Sequence, residues 1–120
     1  MWVVPDIVKT SAERYGDRLA IADPGTQMSY SELAASVFGL SQFLRKEGLQ
    51  DGDRVAIALP NSVRFIESHL GIITAGGISV PLDFGIAENN FIRICENCAP
   101  RFLIADKVSM QRVGIAAETN

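Results

Sequence analysis

Four places in this sequence carry residue types that could do chemistry. Cys95 and Cys98 form a Cys-x-x-Cys pair, a spacing used for thiol exchange or for half of a zinc site. A tetrahedral zinc needs four ligands, and the single His, His69, is remote in sequence with no second Cys pair to join it. A redox pair usually opens a helix, where the dipole lowers the thiol pKa, whereas this one falls at the end of an expected helix. Inert, partly buried thiols and no metal are the expectation. Thr74-Ala75-Gly76-Gly77 offers a glycine-rich turn, but a phosphate cradle follows a strand and opens a helix. These glycines close a helix and precede a strand, so a plain turn is expected. His69 flanks an apolar helix stripe without an Asp, Ser or Cys nearby in sequence, which reads as a core-edge side chain rather than a general base. Pro60-Asn61-Ser62 ends an apolar run and is the one polar turn placed where a doubly wound fold would bind a ligand. Trp2 and the Phe residues fall at core spacings, and no carboxylate pair has a useful spacing. No catalytic, cofactor-binding or metal residue is assigned.

The elements that would position these groups follow from periodicity. Residues 5–15 read as a helix: Pro5 suits its first turn, Ile7, Val8 and Ala12 make its stripe, and Gly16 stops it. Residues 19–22 and 27–29 read as two short strands around Asp23-Pro24-Gly25-Thr26, a run rich in turn formers. Ser29 and Glu32 fit a capping box, with Met28 and Leu33 at the staple positions. Behind them Leu33, Val37, Leu40 and Leu44 share one helix face, with Ala34, Phe38 and Ser41 beside it. Gly48 supplies the left-handed stop.

Beyond Gly48, strand and helix alternate. Residues 55–59, 78–82 and 102–105 are apolar runs. Between the first two, Asn61 or Ser62 caps a helix whose inward face is expected to be Phe65, Ile66, Leu70 and Ile73, ending at Gly76. Between the last two, residues 88–97 form a helix with Phe91, Ile92 and Cys95 inward. Regular strand–helix–strand spacing of this kind builds parallel sheets. The fold class is therefore α/β: a three-layer, Rossmann-like arrangement with a parallel sheet, preceded by an amino-terminal helix and a short hairpin. One domain over residues 1–120 is expected, with a tail fraying from about residue 108.

Composition narrows the partners. With 48% hydrophobic and 21% charged residues, disorder is excluded. A net charge of -3 without a basic cluster excludes a nucleic-acid surface. The apolar residues 1–4 are cut short by Pro5 and Asp6, and the longest apolar stretch, 70–81, is broken by Gly76 and Gly77. Neither a signal peptide nor a membrane span is expected. Two cysteines without a secretory signal fit a reducing compartment, the cytoplasm.

Four segments in order also carry a family resemblance. Met28-Ser29-Tyr30-Ser31-Glu32-Leu33 resembles the Leu-Thr-Tyr-x-Glu-Leu motif of adenylate-forming enzymes: acyl-CoA synthetases, luciferases and the adenylation domains of nonribosomal peptide synthetases. Gly52-Asp53-Arg54-Val55-Ala56-Ile57 and Leu59-Pro60-Asn61-Ser62 are similar to that family's strand and following turn. The stretch from Leu70-Gly71 through Ala75-Gly76-Gly77 to Val80-Pro81-Leu82-Asp83 resembles its Leu-Gly-x-x-x-Ala-Gly-x-x-x-Val-Pro-Leu-Asp motif. The resemblance spans about residues 4 to 107. It implies a scaffold layer of a large amino-terminal domain, in a parent that uses ATP and Mg²⁺ to activate a carboxylate before a thiol captures it. The family's Lys-ending phosphate loop, its Tyr-Gly-x-Thr-Glu motif, its ribose-binding Asp and its late Lys have no counterpart in this sequence. No cofactor is thus expected for this chain itself. Where many CoA-using members carry an Arg, this chain has Phe84-Gly85-Ile86-Ala87.

Two functions remain open at this level. One is a structural amino-terminal piece of an ATP-dependent acid–thiol ligase, inactive alone, with the rest of the ligase as partner and a possible homodimer through an exposed apolar face. The other is a free-standing, non-catalytic α/β interaction module.

Overall fold

A computed structural model describes residues 4–82, 93–94 and 96–108. Helix α1 (Val4–Tyr15) leads into an antiparallel hairpin of β1 (Leu19–Asp23) and β2 (Thr26–Ser29). Helix α2 (Tyr30–Lys46) follows, then β3 (Arg54–Ala58), α3 (Val63–Thr74), β4 (Ile78–Pro81) and β5 (Phe102–Ala105). The three later strands form a parallel sheet in the order β4-β3-β5. Val55 lies opposite Ser79 on one side and Phe102 on the other.

The capping box forms as expected. Ser29, in extended backbone, accepts from the Glu32 amide at 3.1 Å, and Glu32 accepts from the Ser29 amide at 2.9 Å. Two of the four orphan amides at the start of α2 are satisfied in this way. At its other end Gly48 adopts a φ of 105°, a conformation that would strain any side-chain-bearing residue.

The sheet divides the core by strict alternation. Val55 and Ile57 face α2 and α3, where they pack with Leu44, Leu49, Leu59, Ile72 and Ala75. Ala56 and Ala58 face the opposite way and pack with Leu82, Val80 and Ile94. Ile94 belongs to the helical residues 93–94 and 96–98, so a helix layer covers each face of the sheet. A third cluster of Val8, Ala34 and Val37 joins α1 to α2. The tail beyond residue 108, the helix positions Phe91, Ile92 and Cys95, and Trp2 lie outside the described residues.

Two helix faces depart from the periodicity reading. In α1, Val8 is buried but Ile7 is 51% exposed, because among the described residues α1 packs on α2 through the strip of Val8 and Ala12. In α3 the deeply buried residues are Val63, Glu67, Ser68, Gly71 and Ile72, while Phe65, Ile66, Leu70 and Ile73 are only half-buried. The cause is close helix packing. A Cβ built on Gly71 would lie 2.6 Å from Leu40 Cδ2 and 3.1 Å from Leu40 Cβ, so α3 presses on α2 through a residue without a side chain. Glu67 is drawn into the same seam, where it accepts from the Ser36 hydroxyl at 2.6 Å and from Arg64 at 3.3 Å. Charge pairing and hydrogen bonding offset the desolvation of that carboxylate.

Candidate functional site: the carboxyl edge of the parallel sheet

In open α/β folds ligands gather at the carboxyl ends of the strands, and helix amino termini there offer free amides to anions. Here the turn Pro60-Asn61-Ser62 leaves β3 at that edge and opens α3. Ser62 is the N-cap: its hydroxyl accepts from the Phe65 amide at 3.2 Å and donates to the Pro60 carbonyl at 2.9 Å. Its neighbour Val63 gives its amide to Asp23 Oδ2 at 2.8 Å. The other oxygen of Asp23 accepts from the Gly25 amide at 2.8 Å, within the hairpin turn. One carboxylate therefore ties the hairpin tip to the start of α3. The Val63 amide, then that of Gly25, lowers the Asp23 pKa from its ordinary 3.8, against a smaller opposing effect of burial. A negative charge of the chain's own already sits where a phosphate would bind. Sequence reading did not find this group, because Asp23 and Val63 are distant along the chain and Asp23 looked only like a turn residue.

The remaining candidates are dispersed. Thr74-Ala75-Gly76-Gly77 ends α3 at the opposite, amino edge of the sheet. Gly76 has a φ of 90°, and the Gly77 amide returns to the Ile72 carbonyl at 3.0 Å. Arg45 donates to the Ala75 carbonyl at 3.3 Å and pairs with Asp51 at 3.0 Å, placing a cation at the negative end of α3. The run is a turn and not a cradle. Its buried Thr74 hydroxyl oxygen has no hydrogen-bond partner among the described residues.

His69 lies half-buried between α3 and β4, with Nδ1 at 2.8 Å from Ser79 Oγ and its ring stacked on Phe65 at 6.2 Å. The contact links the helix to the edge strand, and Ser79 is the serine neighbour that sequence spacing did not reveal. Cys98 is a free, half-buried thiol whose own carbonyl accepts from Arg54 at 3.0 Å. Among the described residues no group of three or more His, Cys, Asp or Glu side chains could hold a metal, and no helix is long and apolar enough to cross a membrane.

Comparison with known proteins identifies the family. The model of the AMP-binding enzyme family matches residues 8–119. The chain belongs to that family. Enterobactin synthase component F of Escherichia coli O157:H7 is 34% identical over 106 residues, which is 88% of this chain and 8% of that protein. A long-chain-fatty-acid–CoA ligase of Bacillus subtilis (strain 168) is 39% identical over 74 residues, 62% of this chain and 13% of the ligase. The solved amino-terminal subdomain of Klebsiella oxytoca NpsA, in complex with 3-hydroxyanthranilyl-AMSN, superimposes with a TM-score of 0.82 at 29% identity. That match covers 95% of this chain and 29% of the subdomain. The chain thus spans a small share of the AMP-binding relatives it matches.

The AMP-binding signature segments fall on structural joints. Ser29 and Glu32 make the box that starts α2. Gly52, at a φ of 85°, gives its amide to the Gly76 carbonyl and so ties the β3 motif to the α3–β4 motif. In this chain those residues set backbone geometry.

Proposed function

We propose that this chain is the structural amino-terminal piece of an ATP-dependent acid–thiol ligase, a single folding unit that supports the nucleotide site without supplying its reacting groups. The extent of the AMP-binding family match, almost the whole chain against a small part of each relative, carries the reading. The relatives that support an acid-activating ligase include a fatty-acid–CoA ligase and a synthase component. ATP and Mg²⁺ belong to the parent reaction. The described residues do not fit the nucleotide phosphates, since Asp23 occupies the α3 amino terminus that follows β3. Phosphoryl chemistry needs amides, a cation and a metal fixed around the transferring group.

The parent's cytoplasm is the setting, and the rest of the ligase is the main partner. Alone, the chain self-associates as a two-fold dimer through apolar surface that the larger domain covers. The test is ATP–pyrophosphate exchange and calorimetry with the pure chain. Neither exchange with any carboxylic acid nor specific binding at millimolar nucleotide is expected. Exchange abolished by a point mutation within the chain would overturn the proposal. A strict monomer by light scattering, with no dye-binding apolar surface, would favour the free-standing interaction module.

A further inference from the structure

The outward face of α2 is symmetric about its middle. Inward, the helix buries Ala34, Val37, Ser41 and Leu44. Outward it presents Glu32, Ala35, Gly39, Gln42, Phe43 and Lys46, all exposed. Ala35 and Phe43 each stand four residues from Gly39, and Glu32 and Lys46 each stand seven, so all four share its face of the helix. Phe43 is 56% exposed, which leaves much of an apolar ring in water beside two charged side chains. A Cβ built on Gly39 meets nothing within 4 Å, so the centre of the face is open. Among the described residues Lys46 joins no ion pair. The Glu32 carboxylate is fixed on this face, because its Oε1 accepts from the Ser29 amide.

We infer that this face docks a second copy of the chain, with the two α2 helices antiparallel and a two-fold axis passing beside Gly39. This rests on the self-association proposed above and gives it a place. Such an axis carries each position to the one equally far on the other side of Gly39. Phe43 of one protomer then lies against the partner's Ala35, a large side chain over a small one. Gly39 meets the partner's Gly39, where the lack of side chains lets the helix axes come close. Glu32 comes level with the partner's Lys46, and the symmetry makes that pair twice. A parallel pairing would instead set Glu32 against the partner's Glu32 and Lys46 against the partner's Lys46, which is repulsive at both ends. The antiparallel arrangement also places the positive amino end of each helix dipole beside the negative carboxyl end of the other. Charge, side-chain size and dipole all select the same partner and the same direction.

Sedimentation equilibrium of the 120-residue chain over a range of concentrations tests this. The chain is expected to be dimeric, and Phe43→Asp to be monomeric at concentrations where the original chain is paired. Because Phe43 is exposed, that variant keeps its fold, which circular dichroism checks. Glu32→Lys and Lys46→Glu each make both ion pairs repulsive and should weaken self-association by about ten-fold. An equimolar mixture of the two rebuilds both pairs with their signs exchanged, and should associate as tightly as the original chain. Glu32→Lys also removes half of the capping box; should it fail to fold, Phe43→Asp decides the matter by itself. A dimer that survives Phe43→Asp, or a mixture of folded variants no tighter than either alone, sinks the α2 surface and leaves self-association standing. A chain that is monomeric at every concentration sinks both.

Discussion

Two glycines within helices should respond to the same substitution with opposite signs. Gly39 lies mid-way along α2 on its exposed side, and a Cβ built there meets nothing within 4 Å. Gly39→Ala therefore gains only helix propensity and raises stability by about 1 kcal/mol. Gly71 gains the same propensity, but its Cβ would lie 2.6, 3.0 and 3.1 Å from Leu40 Cδ2, Cγ and Cβ. Rotating the end of Leu40 relieves only the first of these contacts. The other two involve atoms near the α2 backbone, so the helices must part. Overpacking of this kind costs about 1–3 kcal/mol, which outweighs the propensity gain and leaves Gly71→Ala destabilised by about 1 kcal/mol. Urea unfolding of both variants measures the difference. Leu40→Ala in the Gly71→Ala background should recover part of the loss, and the double-mutant cycle should give a favourable coupling. If Gly71→Ala raised the midpoint as Gly39→Ala does, with additive effects at Leu40, the close approach of α2 and α3 would be refuted.

Other perturbations follow from the caps and the carboxylate. Ser29→Ala removes one half of the capping box and should lower stability by about 1 kcal/mol, read as a shift of the urea midpoint. Cys98→Ser should cost less than that, and zinc should leave the melting temperature unchanged; a clear zinc-dependent rise would show that the thiols bind metal. Asp23 has a folded pKa below its ordinary 3.8, so its stabilisation is complete above that value and disappears as pH falls through the folded one. Asp23→Asn should therefore weaken the fold at neutral pH and flatten the acid limb of its stability curve. An acid limb identical to that of the parent chain would show that Asp23 does not clamp the hairpin to α3.

The elements were legible because local cues agreed. The Ser29–Glu32 box, the left-handed Gly48 and the apolar runs each point to one structure, and the parallel pairing of the three strands follows from their alternation with helices, whereas the central place of β3 does not. Which face of α3 would be buried was not legible. Periodicity ranks side chains by hydrophobicity and so selected Phe65, Ile66, Leu70 and Ile73. The seam instead closes on Gly71, Ser68 and a paired Glu67, because α2 comes too near for large side chains. The Asp23–Val63 bond and the His69–Ser79 contact were equally hidden. Each joins separate elements, and only the tertiary fold makes such partners neighbours.

The central place of β3 bears on how the chain is made. β3 precedes both of its neighbours in sequence, so as it leaves the ribosome it has no strand to pair with. β4 arrives some twenty residues later and β5 later again. At about 5–20 residues per second, the most deeply buried strand of the described residues spends seconds without a partner on one side or both. Helix α2, already complete, supplies Leu44 and neighbouring side chains against which β3 can rest in that interval. The capping box at Ser29, which fixes where α2 begins, thus sets in advance the surface on which the sheet is assembled.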